Sequence, residues 1–135
     1  MAKYSRVGIY NRVATIVQTA HSSVTISGTY LPVVKSFPYV YLHEIDHVQT
    51  TNGLDLECKD NQWESTFEVQ VFTTGDNKIA NAHTILDTIK GAFRTMYFRQ
   101  SYEGEIENTD ITVYRLVARF NRIIGGGEDM PTSNT

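Results

Sequence analysis

The chain has 135 residues and a formal net charge of -3, and its composition is 41% hydrophobic and 20% charged. These values are typical of a globular protein with one core, and they exclude an intrinsically disordered chain. No apolar run approaches the roughly 20 residues that a membrane helix needs. A negative balance also does not favour general binding to nucleic acid, which usually requires a basic surface.

The first predicted elements are a helix and two strands. Apolar side chains recur at helical spacing between residues 3 and 20, which predicts an opening helix. Residues 22–30 are small and β-branched, and they predict a short strand. Residues 38–47 begin with the segment PYVY, and aromatic and β-branched residues favour a second strand. Residues 48–60 surround an Asn-Gly pair and predict a loop with a hairpin tip.

A long strand and a second helix follow directly. Residues 61–73 alternate between apolar and polar side chains, which predicts a half-buried strand. A turn comes next, and Asp76 or Asn77 is the predicted N-cap of a helix. The apolar side chains between there and Met96 recur at helical spacing, so the sequence predicts a helix up to about that residue.

The end of the chain contains the last strands and a polar tail. Residues 98–108 are polar and are predicted to be extended, and residues 110–124 predict a long strand. The order of elements predicts an α+β fold, in which both helices pack on one face of a mainly antiparallel sheet of about four strands. We therefore expect a single domain over residues 1–124. Residues 125–135 have the composition of a flexible tail.

One motif points to metal chemistry. Residues 43–47 read His-Glu-Ile-Asp-His, which is the H-E-x-x-H signature of zinc hydrolases. On a helix, His43 and His47 would lie one turn apart and could bind one ion. On the predicted strand they share a face but are separated by roughly 13 Å. The longer signature also needs glycine where Thr50 stands and histidine where Gly53 stands. The sequence therefore favours a solvated strand end, and predicts that the protein binds no stoichiometric zinc.

Other reactive side chains do not form a catalytic pattern in the sequence. The single cysteine, Cys58, has no obvious neighbouring base. His83 falls beside the apolar stripe of the second helix, which predicts a position at the edge of the core. The glycines at 125–127 are not followed by the lysine and helix of a phosphate-binding loop. No catalytic residue, metal ligand or cofactor-binding residue is predicted, and the sequence favours a protein that is not an enzyme.

The final strand is apolar on both faces. A strand with one face open to water should alternate cleanly, but here arginines interrupt only one of two apolar faces. We expect the two helices to cover one face and a neighbouring subunit to cover the other. The arginines would pair with acids of a neighbouring strand or of that subunit. The predicted interface residues are Val113, Arg115, Val117, Arg119, Glu64 and Glu68.

The kind and order of these elements resemble a known family. A short opening helix precedes a proline-led strand at residues 37–42, and an alternating strand ends at 69–73. A helix from Asn77 to about Met96 follows directly, and a closing strand includes residues 114–120. Over these elements the chain resembles the tail terminator proteins, also called tail completion or tail-to-head joining proteins, of long-tailed bacteriophages.

This resemblance implies a structural virion protein without catalytic residues or cofactors. Such proteins form a hexameric ring that ends polymerisation of the tail tube and docks a head–tail connector or stopper protein. Genomic DNA would pass through the lumen without specific binding, and a net charge of -3 agrees with that. The expected location is the head–tail junction of the virion, after assembly in the host cytoplasm and without a membrane. Another connector or neck (head-completion) protein is the main alternative, and a zinc hydrolase is the less favoured one.

Two predictions about assembly follow. Residues 125–135 lack a periodic apolar pattern, so their deletion should leave folding intact and weaken docking to a neighbour, tube or connector. Leu116 and Val117 point to opposite faces of the final strand. Leu116→Asp should therefore unfold the subunit, whereas Val117→Asp should leave a folded subunit that no longer assembles.

Overall fold

The computed structural model describes residues 4–29, 36–49, 62–107, 110–125 and 130–131. The α+β class is confirmed, and the sheet has five strands where about four were predicted. The elements are α1 (Arg6–Ala20), β1 (Thr25–Ser27), β2 (Tyr39–Gln49), β3 (Gln62–Thr74), α2 (Lys78–Thr95), β4 (Arg99–Glu105) and β5 (Val113–Gly125).

Helix α1 begins three residues later than its apolar pattern alone indicates, because Ser5 caps it. The Ser5 side chain accepts a hydrogen bond from the backbone N–H of Gly8 at 3.0 Å, which satisfies one of the free donors of the first turn. Ile9, Val13 and Val17 lie on its buried side. Their spacing of four residues is the helical spacing on which the prediction rested.

Helix α2 ends in a Schellman motif. The backbone N–H of Phe98 donates to the carbonyl of Phe93 at 3.1 Å, and that of Tyr97 donates to Arg94 at 3.0 Å. The motif requires a left-handed residue after the helix, and Tyr97 takes that position with a φ of 65°. At the other end, Asn77 is the N-cap as predicted, although its side chain makes no capping hydrogen bond.

The five strands are arranged in the order β1-β2-β3-β5-β4. Strand β1 is parallel to β2, and every other neighbouring pair is antiparallel. The two central strands, β3 and β5, are 13 residues long each. Helix α2 lies against β3 and β5, while α1 lies against α2 and the β1–β2 side of the sheet. Within the described ranges, neither helix combines the length and apolarity that a membrane span requires.

The core lies between the helices and the sheet and contains an aromatic cluster. The ring of Phe93 on α2 stacks on Phe120 of β5 at 4.4 Å between centroids, and lies 5.7 Å from Phe67 of β3. Phe98, in the connection to β4, meets Phe93 edge-on at 5.1 Å. Burial of each such side chain contributes about 1.5–3 kcal/mol to stability, so this cluster fixes α2 on the centre of the sheet.

The described part of the C-terminal tail packs against this core. Met130 is 4% exposed and belongs to the core cluster, and the Arg12 guanidinium on α1 donates to the carbonyl of Pro131. The remaining residues after Gly125 lie outside the described ranges. The expectation that the tail contributes little to stability therefore does not hold for Met130. The sequence contains no sign of this, because a single apolar residue has no periodic pattern.

We expect Met130→Ser to lower the free energy of unfolding by about 2–4 kcal/mol, because it removes a buried apolar side chain and leaves a cavity. Met130→Leu preserves the volume and should change it by less than about 1.5 kcal/mol. Urea denaturation followed by circular dichroism measures both values. Equal midpoints for Met130→Ser and the parent protein would show that Met130 is not part of the stabilising core.

Candidate functional site

The His-Glu-Ile-Asp-His segment lies on β2, as predicted, but its two histidines do not share a face. A β-bulge between Glu44 and Asp46 shifts the register. His43 is therefore opposite Glu68 of β3, whereas His47 is opposite Ser65. Positions 65 and 68 point to opposite faces of β3, so the two histidines do as well. The expectation of a shared face was wrong because it assumed a regular strand.

His43 is held by an aromatic neighbour. Its ring stacks on Tyr41 at 4.1 Å between centroids, and its Nε2 lies 3.7 Å from the Glu68 carboxylate. Burial lowers the pKa of His43 below its ordinary value of 6.5, against the opposing effect of Glu68. The ring is therefore neutral at pH 7 and acts mainly as a packing residue.

Glu44 is the centre of a polar cluster whose Arg6 and His47 side chains are 67% and 43% exposed. Its side chain is 2% exposed, and its carboxylate accepts hydrogen bonds from Arg6 Nε and Ser65 Oγ, each at 2.6 Å. His47 Nδ1 lies 3.2 Å from the same carboxylate. Burial raises the pKa of Glu44, but these hydrogen bonds outweigh it and hold the pKa below its ordinary value. The cluster joins the first turn of α1 to β2 and β3.

The same residue types occur in nucleophilic hydrolases, but this arrangement does not perform that chemistry. In a catalytic triad the histidine lies between the serine and the acid, so that it can remove the hydroxyl proton. Here Ser65 donates to Glu44, and His47 contacts Glu44 as well. The hydroxyl is thus bound to the acid itself, and His47 is not placed to remove its proton.

We expect Glu44→Gln to lower the unfolding free energy at pH 7 by about 1–2 kcal/mol, because it weakens the hydrogen bonds from Ser65 and Arg6, of which the Arg6 bond is exposed and screened by water. The folded-state pKa of Glu44 is below 4.5. The ionised carboxylate therefore stabilises the fold above that pH, and the contribution is lost as pH falls through the folded-state pKa. The variant should accordingly lose less stability on acidification than the parent. Urea midpoints measured at pH 7 and at steps below pH 4.5 test this. Ser65→Ala removes only one hydrogen bond to Glu44 and should have a smaller effect.

Among the residues that the structure describes, no group of three or more His, Cys, Asp or Glu side chains is placed to hold a metal ion. Cys58 and the rest of the loop that was predicted over 48–60 lie outside those residues, except that Val48 and Gln49 belong to β2. The absence of stoichiometric zinc therefore stays a prediction. His83 lies at the edge of the core, where its Nε2 is 3.3 Å from the Tyr114 hydroxyl.

A pocket of about 400 Å³ opens between α1 and β2. Val7 and Tyr10 line it from the helix, and Leu42 lines it from the sheet. Its two charged lining residues, Arg6 and Glu44, are paired with each other. The pocket therefore offers little free polar chemistry to orient a small molecule.

A further candidate surface is the sheet face that carries neither helix, here called the helix-free face. Cross-strand register places alternate residues of β2, β3 and β5 on it. All six residues that the sequence predicts for an interface lie on this face. Its members include Tyr39, Tyr41, His43, Val48, Glu64, Thr66, Glu68, Gln70, Phe72, Val113, Arg115, Val117, Arg119, Asn121 and Ile123.

The arginines of this face pair within the chain. Arg119 Nε donates to the Glu68 carboxylate at 3.0 Å, and Glu68 is its direct neighbour on β3. Arg115 donates to the Gln70 side-chain oxygen from Nε at 3.0 Å and from Nη2 at 2.7 Å. The sequence left open whether these arginines pair with a neighbouring strand or across an interface, and the structure places one of the two predicted acids, Glu68, beside Arg119 in the same chain.

Val117 lies between these two arginines and is only 1% exposed. Tyr102 of β4 bends over Gly104, the residue opposite Val117, where an added Cβ would collide with the tyrosine ring. The Arg119 guanidinium lies 5.6 Å from the same ring. The expectation that this face has no cover within the subunit was therefore wrong at Val117. Long side chains of the face cover it, and a neighbouring molecule would meet arginine and tyrosine.

A second apolar cluster lies at one end of the helix-free face. Tyr39, Phe72 and Val113 are buried together, with the rings of Tyr39 and Phe72 6.0 Å apart. Phe37 and Tyr41 pack against them while partly exposed. The face is thus aromatic at one end and arginine-rich along its centre. The sequence showed that the final strand has apolar residues on this face, but it contained no signal for these contacts between strands.

No protein-family model matches the chain, and no curated protein is significantly similar to it. Function therefore has to be inferred from the surfaces described above.

Proposed function

We propose that the chain is the subunit of a ring that caps the tail tube of a long-tailed bacteriophage. The ring ends tube polymerisation and joins the tail to a head–tail connector or stopper protein. The observation that carries this proposal is the helix-free face. A sheet face in water usually carries small polar side chains, whereas this face presents tyrosines and arginines around the buried side chains of Phe72, Val113 and Val117.

Tyrosine and arginine are the residues that protein interfaces favour, because they supply large contact areas at low entropic cost and bidentate hydrogen bonds. Arg115 and Arg119 are each already oriented by a partner in the chain. A neighbouring subunit would therefore meet preorganised donors, and less entropy would be lost on association.

The order of elements supports the same proposal. The long strand β3 is followed directly by α2, and β5 closes the sheet beside β3. Three of the five segments that carry the resemblance to tail terminator proteins, β3, α2 and β5, thus form the centre of the domain. A net charge of -3 per subunit also suits a channel through which DNA passes without being retained.

Imaging of the purified protein by negative-stain electron microscopy tests the proposal, together with mass measurement by light scattering. A sixfold ring with a central hole is the expected result. A twelvefold ring would favour the alternative of a neck or head-completion protein, and a strict monomer would refute ring formation. A functional assay follows, in which added rings should stop the growth of tubes from purified tail tube protein. Continued growth would contradict the terminator role.

Metal analysis distinguishes a ring subunit from the alternative function, a zinc hydrolase. Protein dialysed against a weak chelator should retain no stoichiometric zinc, and His43→Ala should behave in the same way. One equivalent of tightly bound zinc that is lost in His43→Ala would favour the hydrolase instead.

A further inference from the structure

Tyr97 has an unusual conformation for an exposed aromatic residue. It occupies the left-handed position after α2 with a φ of 65°, where glycine is usual because a Cβ is disfavoured there. Its side chain is 69% exposed, so burial in the core of this chain does not compensate for that conformation. Strained residues that stay exposed are candidates for contact with another molecule.

The surroundings hold Tyr97 in place. The guanidinium of Arg122 lies 5.5 Å from the Tyr97 ring and 4.7 Å from the ring of Tyr4, and its Nη1 donates to the Met96 carbonyl at 3.0 Å. Arg94 is one turn earlier on α2, is exposed, and makes no side-chain hydrogen bond or ion pair within the described part of the chain. Arg94 and Tyr97 are together called the Tyr97 patch.

A complementary surface lies on the opposite side of the sheet. Val48, Glu64 and Ile123 are direct cross-strand neighbours on the helix-free face and are called the Glu64 row. Val48 is 48% exposed and Ile123 is 52% exposed. Between them, Glu64 has no ion pair with any other described residue. The row thus offers an unpaired carboxylate flanked by two apolar side chains.

The two surfaces lie at the same end of the strands. Tyr97 precedes the start of β4, and the start of β4 is beside the C-terminal end of β5, which contains Ile123. The Tyr97 patch is on the helix side, and the Glu64 row is on the helix-free side. In a ring whose symmetry axis runs roughly parallel to the strands, equivalent residues of all subunits lie at the same height along that axis. The helix side of one subunit can then meet the helix-free side of the next at this level, as a closed heterologous contact requires.

We propose that the Tyr97 patch of one subunit packs on the Glu64 row of the next. The Tyr97 ring contacts Val48 and Ile123, and Arg94 pairs with Glu64. The proposal rests on the ring proposed above and names one contact that builds it. An unpaired arginine meets an unpaired carboxylate, and an exposed aromatic ring meets exposed apolar side chains, so both charge and apolar surface are matched.

Charge reversal at this contact gives the direct test. Glu64→Arg and Arg94→Glu should each abolish the assembly that light scattering detects in the parent, and the double variant should restore it because the pair is reversed rather than removed. Circular dichroism verifies that each variant is folded. If Arg94→Glu alone fails to fold, Glu64→Arg and the substitution of Tyr97 described next still decide the matter.

Tyr97→Gly distinguishes a role of Tyr97 in the contact between subunits from a role in the stability of the fold. It should weaken assembly by about tenfold or more, as loss of an aromatic anchor does, while the melting temperature stays equal or rises because glycine suits the left-handed position. A lower melting temperature would show that Tyr97 serves the fold and would overturn this role. A sixfold ring that tolerates Glu64→Arg and Tyr97→Gly would keep the ring proposal and refute this contact. A parent protein that remains monomeric would refute both.

Discussion

Leu116→Asp should leave the protein unfolded at room temperature. Leu116 is 2% exposed, lies near the centre of the sheet between Val71 and β4, and points to the side covered by the helices. The substitution removes about 2–3 kcal/mol of apolar burial and adds the cost of an unpaired buried carboxylate, which is several kcal/mol. The sum of these two costs approaches the free energy of unfolding of a domain of this kind, which is roughly 5–15 kcal/mol.

Far-ultraviolet circular dichroism and a urea titration give the readout for Leu116→Asp. The control is Leu116→Met, which retains volume and apolarity and should cost less than about 1.5 kcal/mol. A cooperative transition close to that of the parent protein would show that position 116 tolerates a charge and that the packing under α2 has been misjudged.

Val117→Asp should give a folded but weakened subunit. The position is 1% exposed, so the sequence-based expectation of an open surface residue no longer applies. The new carboxylate would nevertheless lie beside Arg115 and Arg119, on the same face of β5, and these guanidinium groups can donate charge-assisted hydrogen bonds to it. We expect a loss of about 2–3 kcal/mol, which is well below that at position 116.

The comparison of the two substitutions also tests the assembly surface. Val117→Asp changes the pairing of the arginines on the helix-free face, and we expect it to remove or weaken the ring measured by light scattering. Complete unfolding of Val117→Asp would mean that the arginines do not compensate for the buried charge. Normal rings from a folded Val117→Asp protein would mean that the centre of the helix-free face does not meet a neighbour.

Local sequence patterns were sufficient to predict the helices, the long strands and the side chains that share a face of a regular strand. The alternation along β3 and the helical stripe of α2 are local patterns, and their bounds agree with the structure to within one or two residues. The parity of β5 likewise placed Arg115 and Arg119 on one face of that strand, and the parity of β3 placed Glu64 and Glu68 on one face of its own. Periodicity suffices for this because the direction of a side chain depends only on its position along its own regular element.

The way in which these elements pack against each other is seen only in the folded chain. The bulge in β2 reverses the side on which His47 lies, and a pattern of residue types does not reveal a bulge because the extra residue exists only relative to the partner strand. Arg6 reaches Glu44 across 38 positions of sequence, and Met130 joins a core whose other members lie between Tyr4 and Ile124. Tyr97 takes a left-handed position after α2 at which glycine is usual, and the sequence analysis contained no signal for it. Each of these features depends on contacts between distant segments, whereas the sequence patterns report only near neighbours along the chain.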